Sequence, residues 1–504
     1  MPVTTTTKAP VTVNNTATNK NTVRMWTLVS LIIGSTVGAG IFALPQQAAS
    51  VAAPGAMLIG WGIAGIGMLS IAFVFQALAV RKPHLDSGVY SYVRAGLGDF
   101  VGFASAWGYW LGSVIAQVGY ATLFFSTLGH YIPLFSSENR LASAIAVSIL
   151  TWVIFFMLTR GVKQAAAMNM VTTVAKLLPI FAFLILVAFL GFSWDKFTFD
   201  IWGRSGSSGS VMEQIKGMML FTVWAFIGVE GASVYSKQAR TRKDVGRATI
   251  IGFFSVLALL VSVTTLSFGV LTQEELTALG DNSLGGVLEA VVGPWGGALI
   301  SLGLCISVLG AYISWQMLCA EPITLMAIDG LLPARFGKFN KNGAPFSAQL
   351  ISTAVIQACV IVFFLNETTY TSMVQLATMM YMLPYVFSSL YLLLLTTRGK
   401  GMTHPHAGTR FDDSGPAVTP QENRKHLFIA IIAFIYSLWL FYAADVTYLL
   451  FGTLLILPGL IPYISQRIKN GDKWFNTFEW VIVAAVVIGA CFAAYGLSTG
   501  ALEL

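Results

Sequence analysis

The sequence predicts an all-α integral membrane protein of about thirteen transmembrane helices, ten of them forming a five-plus-five inverted-repeat core. Three observations carry that prediction. The 504-residue chain is 56% hydrophobic and only 10% charged, with a mean hydropathy of +0.74, more apolar than a soluble domain. Apolar runs long enough to cross a bilayer recur along nearly its whole length. Two of those runs, five spans apart, are interrupted by glycines at membrane depth.

The elements follow in order. Residues 1–24 are rich in Thr, Asn and Val without an apolar core, and read as a disordered cytoplasmic tail, neither signal peptide nor span. The first five spans are expected at 25–48, 54–80, 100–131, 141–159 and 167–191. The next five lie at 213–236, 247–271, 295–327, 347–365 and 370–396, completing the core at 25–396. The third and eighth are long enough to tilt. Loop 81–99 is apolar and aromatic enough to pack back on the membrane face. Residues 397–426 form a polar linker whose His404 and His406 read as loop residues rather than metal ligands. Three further spans, 427–444, 446–466 and 478–498, complete a C-terminal region at 427–504.

The basic residues fix the orientation. Of 29 Lys and Arg, 24 fall on the side shared with the N-terminus. Only Arg140, Lys196 and Arg204 fall on the other, while Lys176 and Lys216 lie within spans or at a span edge. The positive-inside rule places the N-terminus in the cytoplasm and, with thirteen crossings, the C-terminus outside. That asymmetry accounts for the net charge of +7 without nucleic acid as a partner. The four cysteines, Cys305, Cys319, Cys359 and Cys491, lie in apolar spans without metal-ligand spacing. They read as small buried apolar residues.

The first interrupted run is G-S-T-V-G-A-G-I-F-A-L-P, residues 34–45. Gly38 and Gly40 each weaken a helix by about 1 kcal/mol relative to Ala. Non-helical backbone at membrane depth survives only where it is buried in protein or lines a cavity. The run is therefore either a close helix–helix contact through small residues or a binding site whose freed N–H groups hold a carboxylate. The sixth span, F-T-V-W-A-F-I-G-V-E-G-A at 221–232, repeats the signature with Gly228 and Gly231. It adds Glu230, a carboxylate that is costly in lipid. Two broken helices at corresponding places favour a midplane substrate site in a transporter.

Other polar residues inside spans bear on the same site. Lys176 lies mid-span, and either exchanges a proton, replaces a sodium ion as a fixed cation, or pairs with Glu230 or Glu321. Glu321 precedes Pro322 towards the cytoplasmic end of the eighth span. It either lines an inner vestibule or pairs with a loop cation. Trp224 and Trp315 sit well inside spans, as core residues or as indoles that gate a cavity.

These stretches resemble the amino acid–polyamine–organocation superfamily. Residues 34–45 resemble its first-span motif. S-G-V-Y-S-Y-V-R-A-G-L-G at 87–98 with G-F-A-S-A-W at 102–107 resembles its signature after the second span. W-A-F-I-G-V-E-G-A-S-V at 224–234 and D-G-L-L-P at 329–333 are similar to its sixth span and the end of its eighth. The likeness covers roughly residues 25–465 and is nearest the basic amino acid/polyamine antiporters, a group with arginine/ornithine antiporters and lysine permeases. It implies that backbone groups of Val37, Gly38, Ala39 and Gly40 hold the substrate's carboxylate and ammonium. Ala39 stands where serine is frequent, so it offers its N–H alone. Carbonyls of Trp224 and Ile227 would accept the α-ammonium, with the Trp224 ring as a gate. Ser113 matches an asparagine that reads a guanidinium, and Trp315 an indole packing on the substrate's aliphatic part. Glu230 matches a pH-responsive glutamate, and Lys176 a lysine that replaces a sodium site.

The resemblance thus implies a sodium-independent exchanger of cationic amino acids in a bacterial plasma membrane, arginine for ornithine being the expected pair. The alternative is a proton-coupled permease for lysine or another basic amino acid, and a non-transporting receptor or accessory subunit is a third reading. A neutral amino acid or histidine/histamine stays open as substrate. No nucleophile–base pair, metal cluster or phosphate loop points to an enzyme, a cofactor or a metal. The partners expected are the small-molecule substrate and membrane lipid. Dimers occur in the family, so a homodimer is one expectation.

Overall fold

The computed structural model describes residues 25–83, 85, 88–160, 163–204, 209–228, 242–366, 368–398 and 418–502. Among these every regular element is a helix. The tail 1–24, Glu230, and His404 and His406 of the linker lie outside the described residues.

The first apolar run folds as two helices, α1 (Met25–Thr36) and α2 (Gly40–Ala49), which meet at a bend of 52°. α3 (Pro54–Arg81) starts with proline at its first position, where no N–H is needed. α4 (Gly88–Leu97) is the aromatic stretch of the 81–99 loop. It packs on α5 (Asp99–Gly129) and buries Tyr90, Tyr92 and Val93, as its composition predicts. The reversal between α4 and α5 is made at Gly98, whose φ of 93° suits glycine.

α6 (Arg140–Arg160), α7 (Lys163–Leu190), the short α8 (Trp194–Phe199) and α9 (Val211–Phe226) follow. Then come α10 (Arg242–Phe268), α11 (Gln273–Ala278), α12 (Ser283–Val292) and α13 (Pro294–Ile328). The remaining helices are α14 (Phe346–Leu365), α15 (Tyr370–Arg398), α16 (Pro420–Ala443), α17 (Val446–Ile456), α18 (Leu460–Asn470) and α19 (Thr477–Thr499). Among the described residues ten spans qualify by length and apolarity, or eleven with the bent α1–α2 pair. α7 and α9 occupy the fifth and sixth expected spans. The long third and eighth spans are α5 and α13, of 31 and 35 residues.

Two expectations need correction, and a third gains detail. α16 begins at Pro420, not at 427, because Thr419 and Glu422 form a capping box ahead of the apolar run. The expected 446–466 span is present as one apolar segment, Val446–Asn470, within which α17 and α18 are joined by a 3-10 turn at Leu457–Gly459 that contains Pro458. Of the four cysteines only Cys319 is buried, and Cys491 is exposed. Lipid is as apolar as a protein core, so a cysteine in a span has no need of protein around it.

The helices associate in two groups around the broken first span. α1, α2, α3, α9 and α10 pack on one another, while α5, α6, α13 and α14 form a frame. α15 lies against α5 and against α9. At the face shared with the N-terminus, ion pairs tie the frame together. Arg94 contacts Asp99 at 2.7 Å and Asp329 at 2.9 Å, and the Tyr90 hydroxyl donates to Asp329 at 2.7 Å. Arg467 on α18 reaches the other Asp99 oxygen at 2.9 Å and fastens the C-terminal helices to the same cluster.

Candidate binding site between two broken helices

α1 ends where the Val37 N–H reaches Ile33 O at 2.9 Å, and α2 restarts where the Phe42 N–H reaches Ala39 O at 3.2 Å. Between these bonds the N–H groups of Gly38, Ala39, Gly40 and Ile41 meet no backbone acceptor among the described residues. They form the electropositive start of α2. Glycine at 40 is required by close approach: a Cβ there would lie 2.6 Å from Trp224 Nε1.

α9 supplies the opposite polarity. It runs into the site and stops at Phe226, with the Ile227 N–H on Trp224 O at 3.2 Å. Gly228 takes a φ of 104°, and a Cβ on it would fall 2.6 Å from the Ser35 carbonyl. The Ser35 hydroxyl donates to Ile32 O at 3.1 Å and to Gly228 O at 3.4 Å, joining the two breaks. The carbonyl end of α9 therefore faces the N–H end of α2, a pair of partial charges complementary to the ammonium and carboxylate of an amino acid.

A cavity of about 20 Å³ lies between them. Val37, Gly38, Gly40, Trp224, Ile227 and Trp315 line it, six of the eight substrate-site residues expected from the sequence. Ala39 is buried beside it without lining it. Ser113 is also absent from the lining: its hydroxyl donates to Tyr109 O at 2.8 Å and shares a 2.9 Å bond with the Tyr381 hydroxyl. The Trp315 ring stands between cavity and that cluster, 6.4 Å from Tyr109 and 6.0 Å from Tyr381.

Lys176, on α7, is 6% exposed, and its Nζ donates to Gly34 O at 2.7 Å. Its contact is thus with the last turn of α1 rather than with Glu321. Glu321 is exposed and has no ion-pair or hydrogen-bond partner among the described residues. Sequence reasoning missed Tyr120, Thr36 and Leu260, which also line the cavity. The Tyr120 ring lies 5.8 Å from that of Trp224. Tyr120 lies seven residues from Ser113 on α5, so reading two helical turns along that face would have found it. Among the described residues no group of three or more His, Cys, Asp or Glu side chains converges on a metal site.

Comparison with known proteins agrees with this geometry. The family model described as amino acid permease matches residues 23–444. An L-lysine transport protein of Corynebacterium glutamicum is 66% identical, covering 97% of this chain and 97% of its own. An arginine/ornithine antiporter of Pseudomonas aeruginosa is 47% identical over 95% of this chain and 98% of its own. An arginine/agmatine antiporter of Chlamydia pneumoniae is 34% identical over 95% of this chain and 97% of its own. The paired broken helices are those of a five-plus-five inverted-repeat core in a multi-pass membrane protein. With a family match across most of its length and relatives aligned nearly end to end, this chain belongs to the amino acid permease family.

Proposed function

We propose that the protein moves cationic amino acids across a bacterial plasma membrane by sodium-independent exchange, arginine against ornithine being the principal pair. The observation that carries this reading is the Lys176 ammonium on Gly34 O. It places a fixed protein cation on a carbonyl of the broken first span, the type of backbone group that holds a coupling ion in broken-helix transporters. The N–H groups from Gly38 onward receive the substrate carboxylate. The Trp224 and Ile227 carbonyls receive its α-ammonium, and Trp315 covers its aliphatic part. The cavity of about 20 Å³ has room for about one water. Loading therefore requires side chains to move, and the Trp224 indole, pressed against Gly40, is the nearest.

Exchange follows if the loaded carrier reorients much faster than the empty one. Glu230 is assigned to proton coupling and Glu321 to the inner vestibule, with the N-terminus in the cytoplasm and the C-terminus outside, on the strength of the basic-residue asymmetry.

Lysine import is the second reading, favoured by two observations. The relative at 66% identity is named for lysine. The Ser113 hydroxyl is already engaged by Tyr109 and Tyr381, which leaves it little capacity to read a planar guanidinium.

The test is uptake of labelled arginine and lysine into proteoliposomes, in sodium-free buffer without a pH gradient, with and without internal ornithine. Exchange predicts uptake only into loaded vesicles. Uptake into empty vesicles that grows with an inward proton gradient would move the assignment to a symporter. Lys176→Met is expected to lower transport of either substrate at least tenfold, with no rescue by sodium.

A further inference from the structure

The loop between α11 and α12, residues 279–283, crosses the end of the molecule opposite the N-terminal face. Ser283 Oγ accepts from the Gln46 N–H at 3.1 Å and donates to Phe42 O at 3.3 Å, holding the loop to α2. Asn282 Nδ2 donates to Ser301 Oγ on α13 at 2.7 Å. Ser126 Oγ on α5 donates to Asp281 Oδ2 at 3.4 Å. The loop thus touches both packing groups, α2 on one side and α5 and α13 on the other.

Asp281 is the acidic member of this loop, and it is half-buried. Among the described residues no cation forms an ion pair with it, and three basic side chains away from the N-terminal face have partners of their own. Lys196 Nζ donates to Val270 O at 2.7 Å, Lys216 lies 3.9 Å from the centre of the Tyr442 ring, and Arg140 sits over Phe364. Burial pushes the Asp281 carboxyl above the usual carboxylate range, with the Ser126 hydroxyl opposing the shift. Nor does Asp281 serve the helix that follows, whose N-cap is Asn282.

A second feature neighbours both Asp281 and the cavity-lining residues Tyr120 and Trp224. Tyr370 opens α15 and is 1% exposed, and its hydroxyl, which lies against the Trp224 side chain, has no well-formed hydrogen bond. Its ring packs on α5 at Gly119, 3.6 Å from where a Cβ would be, and it neighbours Asp281, Tyr120 and Trp224. A buried, unsatisfied hydroxyl is costly. Here it neighbours both a carboxylate without a cation among the described residues and two rings that line the cavity. From Tyr120 to Ser126, α5 rises about 9 Å, comparable with the length of an extended basic amino acid.

We propose that Asp281 and Tyr370 form an outer subsite for the side-chain ammonium or guanidinium of a basic amino acid, occupied on the way into or out of the site between α2 and α9. The proposal rests on the reading of the protein as a carrier of cationic amino acids. A single carboxylate with one adjacent hydroxyl suits a transient stop, since a tighter cage would hold the substrate and slow its passage.

The test is initial-rate uptake by cells expressing wild-type, Asp281→Asn, Asp281→Glu and Tyr370→Phe protein. Lysine, arginine and an uncharged analogue of similar length are compared at two ionic strengths. Asp281→Asn is expected to raise KM for lysine and arginine about fivefold to tenfold while kcat falls less than twofold. Asp281→Glu restores most of the affinity, and Tyr370→Phe raises KM about threefold. Added salt should raise KM in wild-type protein and hardly change it in Asp281→Asn. The proposal is overturned if Asp281→Asn leaves KM unchanged, or shifts it equally for the uncharged analogue. It is overturned too if Asp281→Asn fails to reach the membrane and Tyr370→Phe then shows wild-type KM. Wild-type protein that moves no basic amino acid would instead remove the functional reading itself, and the subsite with it.

Discussion

The two ends of the molecule are held by different chemistry. At the N-terminal face, Arg94, Asp99, Asp329 and Arg467 form a chain of ion pairs at 2.7–2.9 Å. At the opposite face the 279–283 loop is held by hydroxyls and amides, and its carboxylate has no cation among the described residues. The elements joined also differ. The ion pairs connect α4, α5, the end of α13 and α18, which all lie in or on the frame. The loop contacts connect the frame to α2, half of a broken helix. Charge pairs are strong, and rigid geometry lets them be satisfied without strain. Neutral hydrogen bonds contribute about 1 kcal/mol each and are easily exchanged for water. The strong links thus join elements of the frame to one another, and the weak ones join the frame to half of the broken first span.

The largest test of this contrast is Arg94→Ala. It removes the guanidinium that Asp329 and Asp99 share, at a site where the arginine side chain is 9% exposed, while Arg467 stays on Asp99. Removing one partner of such a pair costs about 3 kcal/mol or more. The expected result is a clearly lower midpoint of thermal unfolding in detergent, together with poor expression. A midpoint equal to that of wild type would show that the N-terminal cluster is not the stronger end. Arg467→Ala removes a more exposed partner and is expected to cost about 1 kcal/mol. It should loosen α18 and α19 while leaving substrate KM within twofold, since no residue of the cluster lines the cavity. Limited proteolysis near 471–476 would report that loosening, and an unchanged cleavage rate would contradict it.

The sequence made some of this arrangement visible and hid the rest, for physical reasons. The breaks were legible because Gly38, Gly40 and Gly228 are poor helix formers placed where lipid forbids loose backbone. Lys176 was legible as an anomaly, since a mid-span ammonium demands an acceptor. Its partner was not, because the acceptor is the Gly34 carbonyl, and every residue carries a carbonyl. The Ser113 hydroxyl looked available because its second partner, Tyr381, lies on another helix 268 positions away. The early start of α16 was written in Thr419 and Glu422 but overridden by attention to the apolar run. The Asp281 loop escaped notice because an Asp-Asn-Ser stretch reads as an ordinary turn. Only burial and the lack of a cation distinguish it.

The last test addresses the weak end directly. Ser301 Oγ accepts from Asn282 Nδ2 at 2.7 Å, shares a 3.1 Å bond with the Tyr131 hydroxyl, and donates to Gly297 O at 2.8 Å. Ser301→Ala removes the first two links between the 279–283 loop, the 131–139 turn and α13. Ser301 is buried, but the bonds lost are between neutral groups, so the loss is expected to be about 1–2 kcal/mol and the unfolding midpoint should move little. Opening of the loop is another matter, because the two broken bonds belong to its closed position. A cysteine introduced at Gly280, which has open space around it, should react several-fold faster with a membrane-impermeant maleimide in the Ser301→Ala background. A matched cysteine at Lys341, exposed on the N-terminal side, should react at its former rate. If both cysteines speed up together, the two ends are not independent latches. The weak bonds would then report the stability of the whole frame rather than the ease of opening one side.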